Sequence, residues 1–270
     1  MADILDYEPL DGSRDEAILD RLDQIAVNTG GASGSSDVNK FGYNSDVDTG
    51  GEEIVGAFGG AYDPNTRVIT TAQTFTITYT NTTDGSTATG VRTLGITYLD
   101  ENYAEQTAVH VLGSSGSDVT SFTGFGINRV YCYTFGGDSF AGSDITVTAT
   151  TDGTTQAIIP AGESVTQQCL YHTPIDKTLG ISHIDINTTK ISGGGGSPLV
   201  TVKLYTFSRI TNGIYKVAEY IIDTATTNSI VVDYPEKIQF TGREVIYLTA
   251  ETDVNNTKVY ARFSGTLTDS

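Results

Sequence analysis

The chain has 270 residues, with 33 acidic and 15 basic side chains and a formal net charge of −18. This length holds one large or two small domains. The acidic balance argues against nucleic acid or an anionic membrane as a direct partner, because proteins bind both through cations. A basic protein surface is the better electrostatic match.

A helix is predicted from Ser13 to about Asn28, because Ser13 and Glu16 form a capping box. An apolar stripe recurs at helical spacing through it and comprises Ile18, Leu19, Leu22 and Ile25. A helix of this length is marginal in water unless that stripe has a partner. The partner is the rest of the chain, further copies of the helix or a larger assembly, and the sequence leaves the three open.

The first residues lack the basic and apolar regions of a secretory signal. No apolar run approaches the length of a membrane span. We therefore expect a soluble protein made in a cytoplasm. The two cysteines, Cys132 and Cys169, lie in strand-like segments. We expect buried free thiols there, with a single disulfide as the alternative.

From residue 65 onward the pattern has period two and is rich in Thr, Val, Ile and Tyr. We predict a mainly β fold with one or two antiparallel β-sandwich, jelly-roll-like domains, preceded by the short N-terminal helix and an extended arm. The predicted parts are a helical anchor over residues 1–30 and a Gly/Ser linker with an acidic arm over residues 31–64. A first sandwich over residues 65–153 and a second over residues 154–270 follow. Asp152-Gly153 predicts a hairpin between two strands, which makes the boundary between residues 153 and 154 less distinct. All six prolines fall outside the predicted strands.

Two groups of residues resemble metal ligands. Asn44, Asp46 and Asp48 alternate as in a calcium loop, but the glycine comes one position late and Val55 stands where a glutamate is required. An Asx-type turn is the better prediction. His183 and Asp185 share one face of a predicted strand, but the sequence shows no third ligand. We therefore predict no metal site.

The chain contains no nucleophile elbow, zinc motif, P-loop or dinucleotide fingerprint. The glycine run 193–196 is followed by another predicted strand, whereas a phosphate cradle requires a helix there. The fifteen tyrosines mostly fall inside strands, where packing is their expected role. We therefore expect a protein that is not an enzyme and has no cofactor.

Three stretches of the chain resemble a family of tailed-bacteriophage virion proteins. The first, residues 41–54, contains Gly-x-Asn-x-Asp-Val-Asp-Thr followed by an acidic pair and an apolar residue. The others are residues 98–107 and residues 151–174. The family commonly has a tryptophan soon after the acidic pair, where this chain has Val55 and Phe58. The resemblance implies a non-enzymatic virion component with β-sandwich domains that assembles as a homotrimer.

The leading hypothesis is a capsid decoration or head-fibre protein, made in the host bacterium and bound to the major capsid protein or another virion protein. The predicted attachment or oligomerisation residues are Ile18, Leu19, Leu22, Ile25, Phe41, Asp46, Asp48, Glu52 and Glu53. Repeated copies add weak contacts together through avidity. One alternative is a tail fibre or tail-tip protein that binds a host-surface glycan through a patch near residues 190–260. Another is a polysaccharide depolymerase, which requires a cleft with paired carboxylates.

Overall fold

The computed structural model describes residues 35–190 and 196–270. The predicted helix from Ser13 to Asn28 lies outside these residues. Within them the chain forms strands and one short helix. In chain order the elements are β1 (Ser35–Val47), β2 (Glu53–Ile54), α1 (Pro64–Arg67), β3 (Phe75–Thr78), β4 (Val91–Leu99), β5 (Glu105–Val111), β6 (Ser117–Val119), β7 (Gly126–Phe135), β8 (Ile145–Ala149), β9 (Thr155–Ile159), β10 (Leu170–His172), β11 (Lys177–Lys190), β12 (Leu199–Ser208), β13 (Gly213–Asp223), β14 (Ser229–Phe240), β15 (Glu244–Thr252) and β16 (Thr257–Asp269).

Strands β3 to β9 form the first β-sandwich, here called sandwich I. One sheet has the order β6-β3-β8-β9 and the other β5-β4-β7, and all pairs are antiparallel. The inward residues of both sheets, including Phe75, Leu94 and Ile127, share one buried cluster. Burial of this apolar surface is the main stabilising contribution to the sandwich.

The remaining strands form sandwich II. One sheet has the order β1-β16-β11-β14, and the other has β10-β15-β12-β13, with β2 also paired to β15. A second buried cluster, which includes Ile184, Leu248 and Phe263, fills the space between these sheets. The prediction of a mainly β, antiparallel fold is confirmed.

Sandwich I is inserted between β2 and β10 of sandwich II. Strand β1 pairs with the C-terminal strand β16, with Ser35 opposite Thr268 and Asn44 opposite Val259. The stretch predicted as an extended acidic arm therefore begins as an edge strand of sandwich II. The predicted boundary between residues 153 and 154 falls in the hairpin that joins β8 to β9, which pair with each other.

Strand β1 is not predicted from the sequence, because several of the residues on its buried side are not apolar. Its buried positions alternate as in any half-buried strand, but they include Lys40, Gly42 and Asn44 beside Val38. The alternation of apolar and polar residues that predicts a strand is therefore absent. A Cβ atom on Gly42 would lie 1.9 Å from the carbonyl oxygen of Val55, so only glycine fits this close approach.

Pro235 corrects the prediction that every proline lies outside a strand. It lies within β14. Strand β14 is an edge strand, and its register against β11 shifts between Asp233 and Ile238. An edge position with an irregular register tolerates a residue that has no N–H to donate.

Candidate functional site

Polar side chains from both sandwiches meet between them in a group, here called the seam cluster, that is buried except for the exposed Glu105. Its members are Lys40 on β1, Glu105 on β5, Asn128 on β7, and Tyr171 and His172 on β10. Lys40, Asn128 and His172 are each at most 8 % exposed. Buried polar groups are costly unless they are hydrogen-bonded, so the partners of each group define what the cluster does.

Asn128 binds the two sandwiches together through its side-chain amide. Its Nδ2 donates to the carbonyl oxygen of His172 at 3.0 Å, and its Oδ1 accepts from the backbone N–H of His172 at 2.8 Å. The amide thus pairs with the β10 backbone as a neighbouring strand would. Nδ2 also donates to Oε1 of Glu105 at 2.6 Å, and Glu105 accepts from the Tyr171 hydroxyl at 3.2 Å.

Lys40 adds a buried cation to this network. Its Nζ donates to the carbonyl oxygen of Asn128. Burial, together with the nearby positive charge of Arg129, lowers the pKa of Lys40 to about 8. Burial also raises the pKa of Glu105. Both shifts have the same physical cause, since desolvation disfavours the charged form of either group.

Arg209 closes the other side of the seam. It follows β12 in sandwich II, and its guanidinium donates to the carbonyl oxygens of Ile69 and Phe125 in sandwich I. Nη2 also lies 3.2 Å from Nδ1 of His172. Burial lowers the pKa of Arg209 to about 10, so it remains charged at neutral pH. Burial and the Arg209 charge hold the pKa of His172 well below its ordinary value, so His172 is neutral.

A pair of stacked aromatic rings lies beside the guanidinium groups of Arg209 and Arg243. The rings of Tyr103 and Phe125 lie parallel with centroids 4.1 Å apart. The Arg243 guanidinium carbon lies 4.6 Å from the Tyr103 centroid, and that of Arg209 lies 5.8 Å from it. Cation–π contacts of this kind stabilise a half-buried guanidinium. Tyr103 is held in the left-handed backbone region at φ 59°, in the turn after Asp100.

A cleft of about 170 Å³ opens beside the seam cluster. Its lining includes Asp37 and Lys40 of β1, Glu105, Arg129 and Tyr171. The cleft therefore exposes one edge of the buried network to solvent.

The acidic stretch after β1 forms hydrogen bonds within the chain. Oδ1 of Asn44 accepts from the N–H of Asp46 at 3.0 Å, which confirms the predicted Asx-type turn. Glu53 accepts from Asn44 Nδ2 and from the N–H groups of Asp48 and Gly60, each at 3.0 Å. The loop is held by its own side chains and by the turn before β16, where Asn255 accepts from the N–H of Thr49 and the N–H of Asn256 donates to Asp48.

Glu52, the other member of the acidic pair, lies on the outer face of sandwich II. It forms an ion pair with Lys203 at 2.5 Å and accepts from the hydroxyls of Tyr205 and Thr249. Lys203 also pairs with Glu251 at 3.0 Å. Glu52 thereby fixes the start of β2 to the face of β12 and β15.

The predicted attachment residues separate into three groups. Ile18, Leu19, Leu22 and Ile25 lie outside the described residues. Glu52 and Glu53 contact groups of their own chain, as described above. Phe41 is half-buried and stacks on Tyr260 with centroids 6.3 Å apart, while Asp46 and Asp48 are exposed.

His183 and Asp185, the possible ligand pair in the sequence, have separate partners. Nδ1 of His183 lies 2.7 Å from Asp233, whereas Asp185 pairs with Arg262 at 3.4 Å. In the part of the chain that the structure describes, no group of three or more His, Cys, Asp and Glu residues is placed to hold a metal ion. Cys132 and Cys169 are free thiols, as expected, although Cys132 is only half-buried.

Sequence reasoning missed Lys40, Asn128, His172 and Arg209, which form most of the seam. Each stands in an ordinary strand or turn pattern, and their convergence depends on pairing between distant segments. The one available signal was that Lys40, Glu105 and Tyr171 lie in or beside the three stretches on which the virion-protein resemblance rests. Over residues 35–190 and 196–270, no helix has the length and apolar character needed to cross a bilayer.

No protein-family model matches this chain, and the curated proteins yield no match either. Among solved structures, the chain is similar to a protein of the naturally occurring empty particles of cowpea mosaic virus, at 9% identity, covering 76% of this chain and 84% of that one, with a TM-score of 0.22. It is also similar to a protein of infectious bursal disease virus strain Gx, at 8% identity, covering 88% and 81%, with a TM-score of 0.14. A third similarity is to the VP2 subviral particle of infectious bursal disease virus, at 9% identity, covering 92% and 86%, with a TM-score of 0.12. TM-scores of this size do not establish a shared fold.

Proposed function

We propose that this chain is a non-enzymatic structural protein of a bacteriophage virion, and specifically a capsid decoration or head-fibre protein attached through its N-terminal region. The proposal rests on the position of the three stretches that resemble the virion-protein family. Residues 41–54 follow Lys40 through β1 and the acidic loop, residues 98–107 include Tyr103 and Glu105, and residues 151–174 include Tyr171 and His172. All three thus contribute to, or directly adjoin, the seam.

A role in building a particle fits this placement. Two of the three stretches supply Glu105, Tyr171 and His172, which take part in hydrogen bonds between the two β-sandwiches and so favour a fixed relative orientation. A decoration protein needs such a body, because its outer part must keep its geometry while its inner part contacts the shell.

Attachment is assigned to residues 1–34 and to the exposed acidic side chains that follow. Residues 1–34 carry eight acidic and two basic residues, and include Ile18, Leu19, Leu22 and Ile25. Asp46 and Asp48 are exposed, although Asp48 accepts from the N–H of Asn256 at 3.2 Å, and Glu52 and Glu53 are engaged within the chain. The partner in this proposal is therefore a basic and partly apolar surface of the major capsid protein or another virion protein.

The test is incorporation into particles. Full-length chain, a deletion of residues 1–34 and an Ile18→Ser/Leu22→Ser variant are supplied to particles that lack the native protein, and bound copies are counted by quantitative mass spectrometry. The full chain should be present at a fixed ratio to the major capsid protein, and both altered chains should be lost from particles while their bodies still unfold cooperatively. Absence of the full chain from particles would overturn the proposed function, and full occupancy by the deletion would overturn the proposed mode of attachment.

A second candidate is a tail fibre or tail-tip protein that binds a host-surface glycan. The specific observation that favours it lies on the outer face of sandwich II. There the half-buried ring of Tyr205 stacks on Tyr247 with centroids 5.5 Å apart, beside Lys203, Glu52 and Glu251. Aromatic faces next to carboxylates can bind sugar rings and hydroxyls. Glycan-array binding that is lost in Tyr205→Ala and kept in Tyr43→Ala would favour this candidate, and an array without binding would reject it.

A further inference from the structure

Strand β13 is an edge of sandwich II that carries apolar side chains in solvent. It pairs with β12 on one side, and no described strand is hydrogen-bonded to its other side. Tyr215 and Ile221 are more than half exposed, and Ile214 and Val217 are more than a third exposed. Proteins commonly protect such an edge with proline, inward charges or a very short strand. Strand β13 has eleven residues and no proline.

The sequence of this edge is nearly palindromic. Residues 214–221 read Ile-Tyr-Lys-Val-Ala-Glu-Tyr-Ile, with a centre between Val217 and Ala218. Ile214 therefore mirrors Ile221, Tyr215 mirrors Tyr220, and Lys216 mirrors Glu219. Val217 mirrors Ala218 at the centre, both small and apolar, and the one charged pair combines opposite signs.

The register with β12 places the mirrored residues on one face. Ile214, Lys216, Glu219 and Ile221 lie opposite Phe207, Tyr205, Lys203 and Thr201, which are alternate residues of β12. This alignment arises because the register shifts at Val217. Lys216 and Glu219 consequently form an ion pair at 2.6 Å within the strand.

We propose that a second copy of this chain pairs with β13 in an antiparallel, two-fold arrangement centred between Val217 and Ala218. A two-fold axis places Ile214 of one copy opposite Ile221 of its partner, and Lys216 opposite Glu219. Like charges do not face each other, although each chain carries a net charge of −18. The pairing also supplies partners for the free backbone groups of the edge. The proposal rests on β13 alone and does not depend on the virion function.

Charge reversal distinguishes contacts between copies from the ion pair within one copy. Lys216→Glu places two glutamates opposite each other across the axis, and Glu219→Lys places two lysines there. Each variant alone should lose at least about tenfold in self-association, since every cross-strand charge pair becomes repulsive. A one-to-one mixture of the two variants should form a mixed dimer, because each chain then opposes the other's charge, although the ion pair within each chain stays broken.

The measurement is light scattering coupled to size-exclusion chromatography across a concentration series, with the two variants carrying different tags. Wild type should be a dimer, each variant a monomer, and the mixture a dimer that contains both tags. Val231→Lys, on the exposed face of β14, is the matched control and should leave the dimer intact. A wild type that is monomeric at every concentration would overturn the proposal. So would a trimer, or a mixture of the variants that stays monomeric while both remain folded.

Discussion

The seam and the β13 edge show opposite distributions of polar and apolar groups. At the seam, Lys40 and Asn128 are buried and Arg209 is half-buried, and each donates to groups of the other sandwich. At the edge, Ile214 and Ile221 face solvent with no described strand beyond them. The comparison indicates that the seam is a contact completed within the chain, whereas the β13 edge is a contact that another molecule completes.

The largest effect is expected from Arg209→Met. The change removes a charge that donates to the carbonyl oxygens of Ile69 and Phe125, and leaves both buried acceptors without this donor. We expect a loss of about 3 kcal/mol in the free energy of unfolding. Chemical denaturation measures it, with Lys258→Met on β16 as the control. An unchanged midpoint in Arg209→Met would show that the contact contributes nothing.

Asn128→Ala should have the next largest effect. It deletes the amide that pairs with the backbone of His172 and donates to Glu105. We expect a loss of about 2 kcal/mol, because several buried groups lose a partner together. Asn39→Ala is the matched control, since Asn39 is exposed on the neighbouring strand. Equal destabilisation by both substitutions would show that the hydrogen bonds of Asn128 across the seam do not stabilise the protein.

The pH dependence of stability tests Lys40. Its pKa of about 8 in the folded chain is below the ordinary value of 10.5, so the unfolded chain binds the proton more tightly between these values. Stability contributed by this group is therefore lowest below pH 8 and rises as the pH increases toward 10.5. We expect a gain of about 2 kcal/mol from pH 8 to pH 10 in wild type relative to Lys40→Met. Parallel curves for the two proteins across that range would contradict the assignment.

The smallest effect is expected from Glu52→Gln. Lys203 keeps Glu251 as a partner, and Glu52 is partly exposed, so the loss should be about 0.5 kcal/mol. Added salt should reduce the difference between wild type and variant, because screening weakens a partly exposed ion pair. A loss of stability as large as that from Arg209→Met would show that Glu52 stabilises the fold as much as the seam does.

Most strands could be predicted from the sequence, because their inward residues are apolar and alternate. Strands β9 and β15, at Thr155–Ile159 and Glu244–Thr252, lie in the region where the period-two pattern predicts strands. Strand β1 was missed since Lys40, Gly42 and Asn44 occupy its buried side. The insertion of sandwich I was missed as well, because the pairing of β1 with β16 joins opposite ends of the described chain.

The seam was hidden from sequence analysis for a related reason. A lone Lys40 or Arg209 is ordinarily a surface residue, and only the docking of two separate sandwiches makes either one buried. The palindrome in β13, by contrast, is visible in the sequence alone. Its meaning required the register against β12, which places the mirrored residues on one face.

Hydrogen exchange read by mass spectrometry tests the coupling through the seam most directly. Peptides from β4 in sandwich I and β15 in sandwich II report the free energy at which each sandwich opens. In wild type both should open with the same free energy, because the seam makes them one cooperative unit. In the Asn128→Ala/Arg209→Met variant the two values should separate. Values that already differ in wild type, and keep that difference in the variant, would contradict the account.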